Sequence, residues 1–232
     1  MNKPTLLLLH GALGAGEQFA PLVPLLRDRF DLHWLDFAGH GARPLRAPGF
    51  SMEHFGENVR DYLREHGMAR AHFFGYSMGG YVACTLALSH PEVVMSITTL
   101  GTKFYWDAET AAREVGRLDP QKIAAKVPHF AQALAARHTA TGWEAVLSQT
   151  RDLLLALGER GGLRPGAVAG LAPRMRICQG DRDATVTVGE SSEMARALPH
   201  GELEVLPGTP HEFERVPLAR LAYTLTDFFT AE

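Results

Sequence analysis

The chain has 232 residues, 46% of them hydrophobic and 21% charged, which is typical of one soluble globular domain with a sizeable core. Its net charge of −3, with basic residues scattered along the chain, argues against a nucleic-acid partner and against a polybasic membrane anchor. Cys84 and Cys178 lie far apart in apolar segments, so we expect buried free thiols in a reducing compartment, with no metal site or redox pair.

The N-terminal residues resemble a signal peptide only briefly. Lys3 precedes an apolar run at 6–9, but this run is too short for the hydrophobic region of such a peptide, and His10 and Gly11 interrupt it. No stretch of the sequence is long enough to cross a membrane. We therefore expect a cytoplasmic protein.

The first part of the chain alternates between strand and helix patterns. The apolar run at 5–9 predicts a strand buried on both faces, and a glycine-rich loop at 10–16 follows it. This loop has neither the ending of a P-loop nor the glycine spacing of a dinucleotide site. Apolar periodicity then predicts helices at 17–29, 51–66 and 81–89, and strands at 31–36, around Phe73 and at 94–100. Such alternation indicates a parallel sheet with helices on both faces.

The alternation stops after the strand at 94–100. From about 104 to 172 the sequence contains no convincing strand pattern. Asp119 and Pro120 form a helix start, Pro128 should kink or split that helix, and a second helix is predicted at 141–157. We interpret 104–172 as a helical lid inserted into a single domain that spans 1–232. The strand and helix pattern then resumes, with strands at 175–179 and 203–206 and helices at 189–198 and 216–230.

A Gly-x-Ser-x-Gly motif stands between a predicted strand and a predicted helix. Gly75, Ser77 and Gly79 form it, and Gly80 follows. A serine on a sharp strand-to-helix turn has a strained backbone, and small neighbours allow the turn to close. The helix start directs its free N–H groups towards whatever the serine attacks. This context favours a catalytic Ser77 over a serine that only shapes a turn.

A serine hydroxyl needs a base to take its proton, and that base needs a carboxylate to orient it. Both groups should lie where strands end, at the functional edge of a parallel sheet. His211 follows the strand predicted at 203–206, and Asp181 and Asp183 follow the strand predicted at 175–179. The order Ser77, Asp183, His211 is the one expected when a Gly-x-Ser-x-Gly turn carries the nucleophile. Asp181 remains an alternative acid, and Asp107 is a more distant one.

Taken together, these motifs resemble those of the α/β-hydrolase superfamily. The resemblance covers essentially the whole chain and is carried by His10-Gly11, Gly39-His40-Gly41, the segment 75–80, the segment 180–183 and the late His211. It implies that Asp183, the third residue after Gly180, is the acid. It also implies an oxyanion hole made by the backbone N–H of Met78 and an N–H from the loop after the first strand, which maps to Ala12, with Leu13 as a less favoured choice.

The sequence departs from this family most at its front. Only four residues precede the first predicted strand, so the family's two N-terminal strands should not both be present. We predict a three-layer α/β/α architecture around an open, wholly parallel, six-stranded sheet in the family's order, carrying a helical lid.

The resemblance and the residues together predict a serine hydrolase. We expect it to cleave a carboxylic ester or related small acyl substrate through an acyl-enzyme, with no cofactor and no metal. One alternative uses the same triad for C–C bond hydrolysis or lyase chemistry on a carboxylated small molecule, as in the synthase of menaquinone biosynthesis that this elbow resembles. In that case an arginine should reach the pocket, with Arg43 the first to check. A non-catalytic ligand receptor on the same scaffold is the other alternative.

Other polar residues near the motifs have plainer interpretations. We expect His10 and His40 to make structural hydrogen bonds in their glycine loops and His72 to lie at the far end of its strand. Arg43 and Arg46 are predicted to be solvated loop residues. Leu13 is a candidate to line an acyl pocket. Five aromatic residues either line that pocket or only pack the lid against the sheet: Phe104, Tyr105, Trp106, Phe130 and Trp143.

Overall fold

A sheet of six parallel strands forms the centre of the protein in the computed structural model, which describes residues 3–230. The strands are β1 (Thr5–Leu9), β2 (Asp31–Trp34), β3 (Ala71–Tyr76), β4 (Val94–Leu100), β5 (Arg174–Gly180) and β6 (Gly201–Leu206). Their order across the sheet is β2-β1-β3-β4-β5-β6, and every neighbouring pair is parallel. The prediction of a six-stranded, wholly parallel sheet is confirmed.

The strand order reverses direction between β1 and β3. From β1 the chain moves to one edge of the sheet as β2, then returns to β1's other side as β3 and continues to the opposite edge. In open parallel sheets, ligands bind at such a switch point, beyond the carboxyl ends of the strands. The loop after β1 and the residues after β3 are therefore placed where a site is expected.

Strand β1 divides its side chains between two cores. Leu7 and Leu9 pack into one hydrophobic cluster, and Leu6 and Leu8 pack into the other on the opposite face of the sheet. All four are fully buried. This alternation is the two-residue period of a strand, and burial on both faces explains why the run reads as continuously apolar.

Ten helices surround the sheet in the described part of the chain. They are α1 (Val23–Leu26), α2 (Met52–Glu65), α3 (Met78–Ser89), α4 (Ala108–Val115), α5 (Pro120–Lys126), α6 (Pro128–Arg137), α7 (Trp143–Arg160), α8 (Pro165–Val168), α9 (Val188–Ala197) and α10 (Leu218–Thr230). Residues of α2, α3, α7 and α9 pack into the same cluster as Leu7 and Leu9. Residues of α1 and α10 pack into the cluster of Leu6 and Leu8. The three-layer arrangement is thus confirmed.

The prediction of one continuous helix at 17–29 is wrong. The structure has a short 3-10 helix at Gly16–Phe19 and then the four-residue α1. Pro21 and Pro24 lie in this region and lack the N–H groups that a continuous helix requires. The apolar residues still face inwards, since Phe19, Leu22 and Leu26 are fully buried.

Between β4 and β5 the chain forms α4 to α8 and no strand of the sheet. We call residues 104–172 the lid segment. Asp119 caps α5 by accepting the N–H of Lys122 at 3.0 Å. Pro128 begins α6 directly after α5 has ended at Lys126, as its missing N–H predicts. That this segment acts as a lid of one domain stays a prediction.

Candidate active site

Ser77 occupies the sharp turn between β3 and α3. Its backbone has φ +51° and ψ −115°, a region that non-glycine residues rarely adopt and that typically costs about 1–3 kcal/mol. Two contacts from the end of β4 hold it: the Ser77 N–H donates to the Leu100 carbonyl at 2.8 Å, and the Thr102 hydroxyl donates to the Ser77 carbonyl at 3.0 Å. The neighbouring strand therefore fixes the strained serine.

Gly79 allows α3 to begin directly against the end of β1. A Cβ atom at this position would overlap the carbonyl groups of Leu9 and His10. The close approach brings the first turn of α3 beside the loop that follows β1. The Met78 N–H is at this helix start, and within residues 3–230 it has no hydrogen-bond acceptor.

Asp183 and His211 form a close pair. His211 Nδ1 lies 2.7 Å from Asp183 Oδ2, and the Asp183 side chain is only 1% exposed. The other carboxylate oxygen accepts the N–H groups of Thr185 and Val186 at 2.7 and 2.9 Å. Burial alone would raise the pKa of Asp183, but the hydrogen bonds from His211, Val186 and Thr185 outweigh it and hold the pKa below its usual value. An ionised Asp183 keeps the proton of His211 on Nδ1 and leaves Nε2 able to act as a base.

Ser77 and His211 line the same cavity, which holds about 260 Å³. The Ser77 hydroxyl makes no hydrogen bond to the His211 ring in the described structure. Such contacts between a nucleophile and its base often form only when substrate is bound. Tyr76 steadies the histidine loop, because its hydroxyl donates to the His211 carbonyl at 2.8 Å and its ring lies 5.7 Å from the imidazole.

The loop after β1 passes directly against the serine. A Cβ atom at Gly11 would lie 3.3 Å from Ser77 Cβ, and both Ala12 and Leu13 line the cavity. Within the described residues the Ala12 N–H, like that of Met78, donates to no protein group. Two free N–H groups beside a serine are the donors that an oxyanion hole requires. Leu13 has φ +59°, so its backbone is left-handed and costs about 1–2 kcal/mol.

Ser77 and Leu13 are the non-glycine residues with positive φ among residues 3–230. Both line the one cavity that also contains His211. Strained backbone persists only where the surrounding structure holds it, and it clusters at functional sites. The positions of these two residues therefore indicate the functional site independently of the sequence motifs.

The cavity wall is mainly apolar, with charged groups at its border. Helices α2, α3 and α7 contribute Met52, Tyr81, Leu153 and Leu154, and Leu118 adds to the wall from the loop after α4. Lys103 and Arg117 also line the cavity, but each is paired: Lys103 Nζ lies 3.0 Å from Glu190 and Arg117 Nη1 lies 2.9 Å from Glu114. An apolar pocket with few polar groups suits a small acyl substrate.

Two of the six candidate pocket residues line this cavity, Leu13 and Trp106. The other four do not line it, and the N–H of one of them, Tyr105, donates to Glu190 at 3.1 Å. Phe104 is fully buried in the hydrophobic core, and its N–H donates to Glu190 at 3.1 Å. Phe130 is 42% exposed, since α6 turns Leu134 inwards instead. Trp143 begins α7 and is partly buried away from the cavity.

The rival acids and histidines all have structural contacts elsewhere. Asp181 is exposed and accepts the Thr209 N–H at 3.2 Å, and Asp107 caps α4 by accepting the Thr110 N–H at 2.7 Å. His72 lies at the opposite end of β3 from Ser77, with Nδ1 2.8 Å from the Ser96 hydroxyl. Of the three candidate acids Asp107, Asp181 and Asp183, only Asp183 contacts His211.

The glycine-loop histidines, for which structural hydrogen bonds were predicted, are both buried. His10 Nδ1–H donates to the Gly11 carbonyl at 2.8 Å, and its Nε2 accepts the Phe37 N–H at 3.1 Å. His40 is also fully buried and stacks on Phe50 with ring centroids 4.7 Å apart. Neither ring lines the cavity.

The predicted loop arginines do not line the cavity either. Arg43 donates to the Asp36 carbonyl at 3.2 Å, and Arg46 is exposed.

Sequence reasoning missed three residues around the site: Thr102, which holds Ser77, and Arg137 and His138, which contact Leu13 from the lid segment. Arg137 Nη1 donates to the Leu13 carbonyl at 2.8 Å, and His138 Nε2 lies 3.0 Å from the same oxygen. Thr102 comes two residues after the end of β4, at the sheet edge that also carries Ser77, so its position in the sequence was a usable signal. No signal in the sequence connects 137–138 to residue 13.

Within residues 3–230 no group of three or more His, Cys, Asp or Glu side chains is arranged to hold a metal ion. Across the same residues, no helix is both long enough and apolar enough to span a lipid bilayer.

Comparisons with known proteins agree with this architecture. Residues 4–144 match the family model described as alpha/beta hydrolase fold. The pimeloyl-[acyl-carrier protein] methyl ester esterase of Aeromonas hydrophila is 38% identical over 100 residues, which cover 43% of this chain and 38% of that enzyme. The enzyme of the same name from Chromobacterium violaceum is 29% identical over 228 residues, covering 90% of this chain and 87% of that one.

Similarity to solved structures extends over the whole chain. The enol-lactonase of Burkholderia xenovorans LB400 superimposes with a TM-score of 0.80 at 20% identity, and the alignment covers 100% of this chain and 93% of that one. At this identity the likeness establishes the fold alone. Since the family model covers more than half of the sequence, the chain belongs to the alpha/beta hydrolase fold family, and it is a hydrolase.

Proposed function

We propose that the protein is a serine esterase that cleaves a small carboxylic ester through an acyl-enzyme. In the first step Ser77 Oγ attacks the ester carbonyl while His211 Nε2 takes the hydroxyl proton. The ester C–O bond then breaks, and the departing alcohol receives that proton from His211. In the second step His211 takes a proton from a water molecule, which attacks the acyl carbonyl. The bond from the acyl carbon to Ser77 Oγ then breaks, Ser77 Oγ receives that proton from His211, and the carboxylic acid is released.

The observation that carries this proposal is the convergence of distinct groups on one cavity. A strained serine, a histidine paired with a buried carboxylate, and two free N–H groups all border the same space of about 260 Å³. Each supplies one requirement of acyl transfer: a nucleophile, an oriented base and an oxyanion site. The chemistry needs no cofactor.

Asp183 would stabilise the imidazolium that forms when His211 accepts the proton. Its carboxylate is buried and holds a lowered pKa, so it stays ionised at neutral pH. The N–H groups of Ala12 and Met78 would receive the negative oxygen of each tetrahedral intermediate. Removing one donor of this kind typically reduces kcat by about 10²–10³-fold.

The curated relatives support an ester as the bond that is cleaved. Both reported relatives are named as methyl ester esterases, and one of them aligns with 90% of this chain. The apolar wall formed by residues such as Leu153 and Leu154 supports an acyl group of moderate size.

The alternative of C–C cleavage or lyase chemistry on a carboxylated molecule depends on an arginine available to the substrate. Arg43, the first one to check, binds the Asp36 carbonyl and does not line the cavity. Arg117 lines it, but its guanidinium is paired with Glu114. Within the described residues the cavity therefore offers this alternative no unpaired arginine, which favours the esterase.

The test compares wild-type protein with Ser77→Ala on p-nitrophenyl acetate and butyrate, followed by a series of longer acyl chains. We expect hydrolysis by the wild type and a loss of at least about 10⁴-fold in Ser77→Ala. Labelling by a fluorophosphonate probe should occur at Ser77 in the wild type only. A wild type that neither labels nor hydrolyses any ester would point to the receptor alternative instead.

A further inference from the structure

The Leu13 carbonyl, in the loop beside Ser77, receives two hydrogen bonds from the lid segment. Arg137 Nη1 donates to it at 2.8 Å and His138 Nε2 at 3.0 Å. The two donors are 124 and 125 residues away in sequence and stand at the C-terminal end of α6. One carbonyl therefore joins the loop after β1 to the lid segment.

The proton on His138 is located by its partners. The Gly41 N–H donates to Nδ1 at 3.1 Å, so Nδ1 carries no proton and the neutral ring carries its proton on Nε2. That proton faces the Leu13 carbonyl. A single buried ring thus connects three segments: the loop after β1, the loop after β2 and the end of α6.

These bonds act on a turn that contains a strained residue. Leu13 has φ +59°, and the Gly14 N–H closes the turn by donating to the Gly11 carbonyl at 3.1 Å. Ala12 lies inside this turn, and its free N–H borders the cavity. The shape of this turn, in which Leu13 takes part, therefore determines the direction in which the Ala12 N–H points.

We propose that Arg137 and His138 are positioning residues that hold the oxyanion loop through the Leu13 carbonyl. The Ala12 N–H is then aimed at the developing oxyanion only while α6 is seated on this loop. The inference rests on the proposed esterase function, because it concerns the stabilisation of a tetrahedral intermediate at Ser77.

Other contacts seat the lid segment on the same side of the molecule. The Leu45 N–H donates to the Thr141 hydroxyl at 3.1 Å, and the Phe50 N–H donates to Gln149 at 3.2 Å. Loss of either bond from Arg137 or His138 therefore leaves the lid segment attached at other points. A local change in the oxyanion loop is expected instead of a detached lid.

Neither Arg137 nor His138 lines the cavity, so neither is placed to touch substrate. Removing their hydrogen bonds should weaken binding of the transition state and leave binding of the substrate unchanged. In kinetic terms kcat should fall while KM stays constant.

The experiment compares Arg137→Met and His138→Phe, which remove the donors but keep similar volume, with Arg137→Lys and His138→Gln, which retain a donor. We expect kcat on p-nitrophenyl butyrate to fall on the order of tenfold in Arg137→Met and on the order of 100-fold in His138→Phe, because the full loss of one donor reaches about 10²–10³-fold. KM should change less than about twofold, and the donor-retaining variants should recover most of the rate.

A second readout is the affinity for butylboronic acid, which forms a tetrahedral adduct on the serine with an oxygen in the oxyanion site. Its affinity should fall by the same factor as kcat in each variant. Unchanged kcat and boronate affinity in Arg137→Met, or a change confined to KM, would overturn the proposal. The Arg137 side chain is 26% exposed, so this variant decides the question even where His138→Phe does not fold.

Failure of the esterase proposal is distinguishable from failure of this inference. A wild type that hydrolyses no ester rejects the esterase. In that case the affinity of butylboronic acid is still compared between the wild type and Arg137→Met. Equal affinities would reject the positioning role. When the wild type is active and Ser77→Ala is not, the Arg137 and His138 variants alone decide the inference.

Discussion

Replacing His10 with glutamine should make the protein less sensitive to acid. The His10 ring is fully buried, and both nitrogens are used: Nδ1–H donates to the Gly11 carbonyl and Nε2 accepts the Phe37 N–H. Protonation of Nε2 would therefore place a second N–H directly against the Phe37 N–H and break that hydrogen bond. Burial lowers the pKa of His10 to about 4, with His138 and Arg137 adding to this effect while the bond to Gly11 and the charge of Asp36 oppose it.

The size of the effect follows from the difference between folded and unfolded pKa values. In the unfolded chain His10 has a pKa of about 6.5, so between this value and about 4 the unfolded state binds more protons than the folded state. Stability conferred by neutral His10 is present above about pH 6.5 and is lost as the pH falls. The loss is about 2 kcal/mol on going from about pH 7.5 to about pH 5, and about 3 kcal/mol by about pH 4.

The assay is urea unfolding at a series of pH values, with the free energy of unfolding obtained by linear extrapolation. The His10→Gln variant should be less stable than the wild type at neutral pH, because it alters two hydrogen bonds. Its free energy of unfolding should nevertheless fall less steeply as the pH is lowered. Near pH 5.5 the difference between the two slopes should correspond to the uptake of roughly one proton per molecule on unfolding. His200→Gln, at an exposed histidine, is the matched control and should decline like the wild type. Parallel declines in wild type and His10→Gln would refute the claim that His10 is held neutral.

Three further substitutions test contacts around the site. Thr102→Val removes the hydroxyl that holds the Ser77 carbonyl, and should lower kcat on the order of tenfold and the free energy of unfolding by about 1 kcal/mol, as measured by ester hydrolysis and urea unfolding. Tyr76→Phe removes the bond to the His211 carbonyl and should lower kcat/KM by roughly five- to tenfold, whereas Tyr223→Phe, at a side chain 71% exposed, should leave it unchanged. Met52 lines both the cavity beside Ser77 and a second cavity of about 300 Å³. Met52→Ala should join the two cavities and make room for a longer acyl chain, so the ratio of kcat/KM for the octanoate ester to that for the butyrate ester should rise. An unchanged ratio would show that the cavities stay separate.

The central sheet and the serine turn were predictable because their signals are local. Continuous apolar runs such as Leu6–Leu9 indicate strands buried on both faces, and Gly75 to Gly79 lie between a strand and a helix in the sequence itself. The placement of Asp183 and His211 follows from strand order, since both stand at the carboxyl ends of neighbouring strands, β5 and β6. The alternation of elements therefore predicts that both residues lie at the same edge of the sheet, and the resemblance to the family predicts that Asp183 is the acid.

The lid segment was predictable only as helices. Aromatic residues such as Phe104 and Phe130 indicate burial or lid packing, but residue type alone does not tell which surface a side chain faces. Phe104 faces the core, and its N–H donates to Glu190, which lies 86 residues further along the chain. The bond from His138 to Leu13 spans 125 residues and joins a helix end to a backbone carbonyl, which no local pattern describes. A long-range contact to a backbone atom produces no periodic pattern in the sequence, so it could not be predicted.

The two strained residues of the site are held by different parts of the protein. Ser77 is fixed by Leu100 and Thr102 at the end of β4, so its geometry belongs to the sheet. Leu13 is fixed by Arg137 and His138, so its geometry depends on the lid segment. A disturbance of α6 should therefore leave the nucleophile in place while it disorders one oxyanion donor. If the proposed oxyanion role is correct, the serine keeps its geometry at all times, and the Ala12 donor keeps its direction only while α6 is seated on the loop after β1.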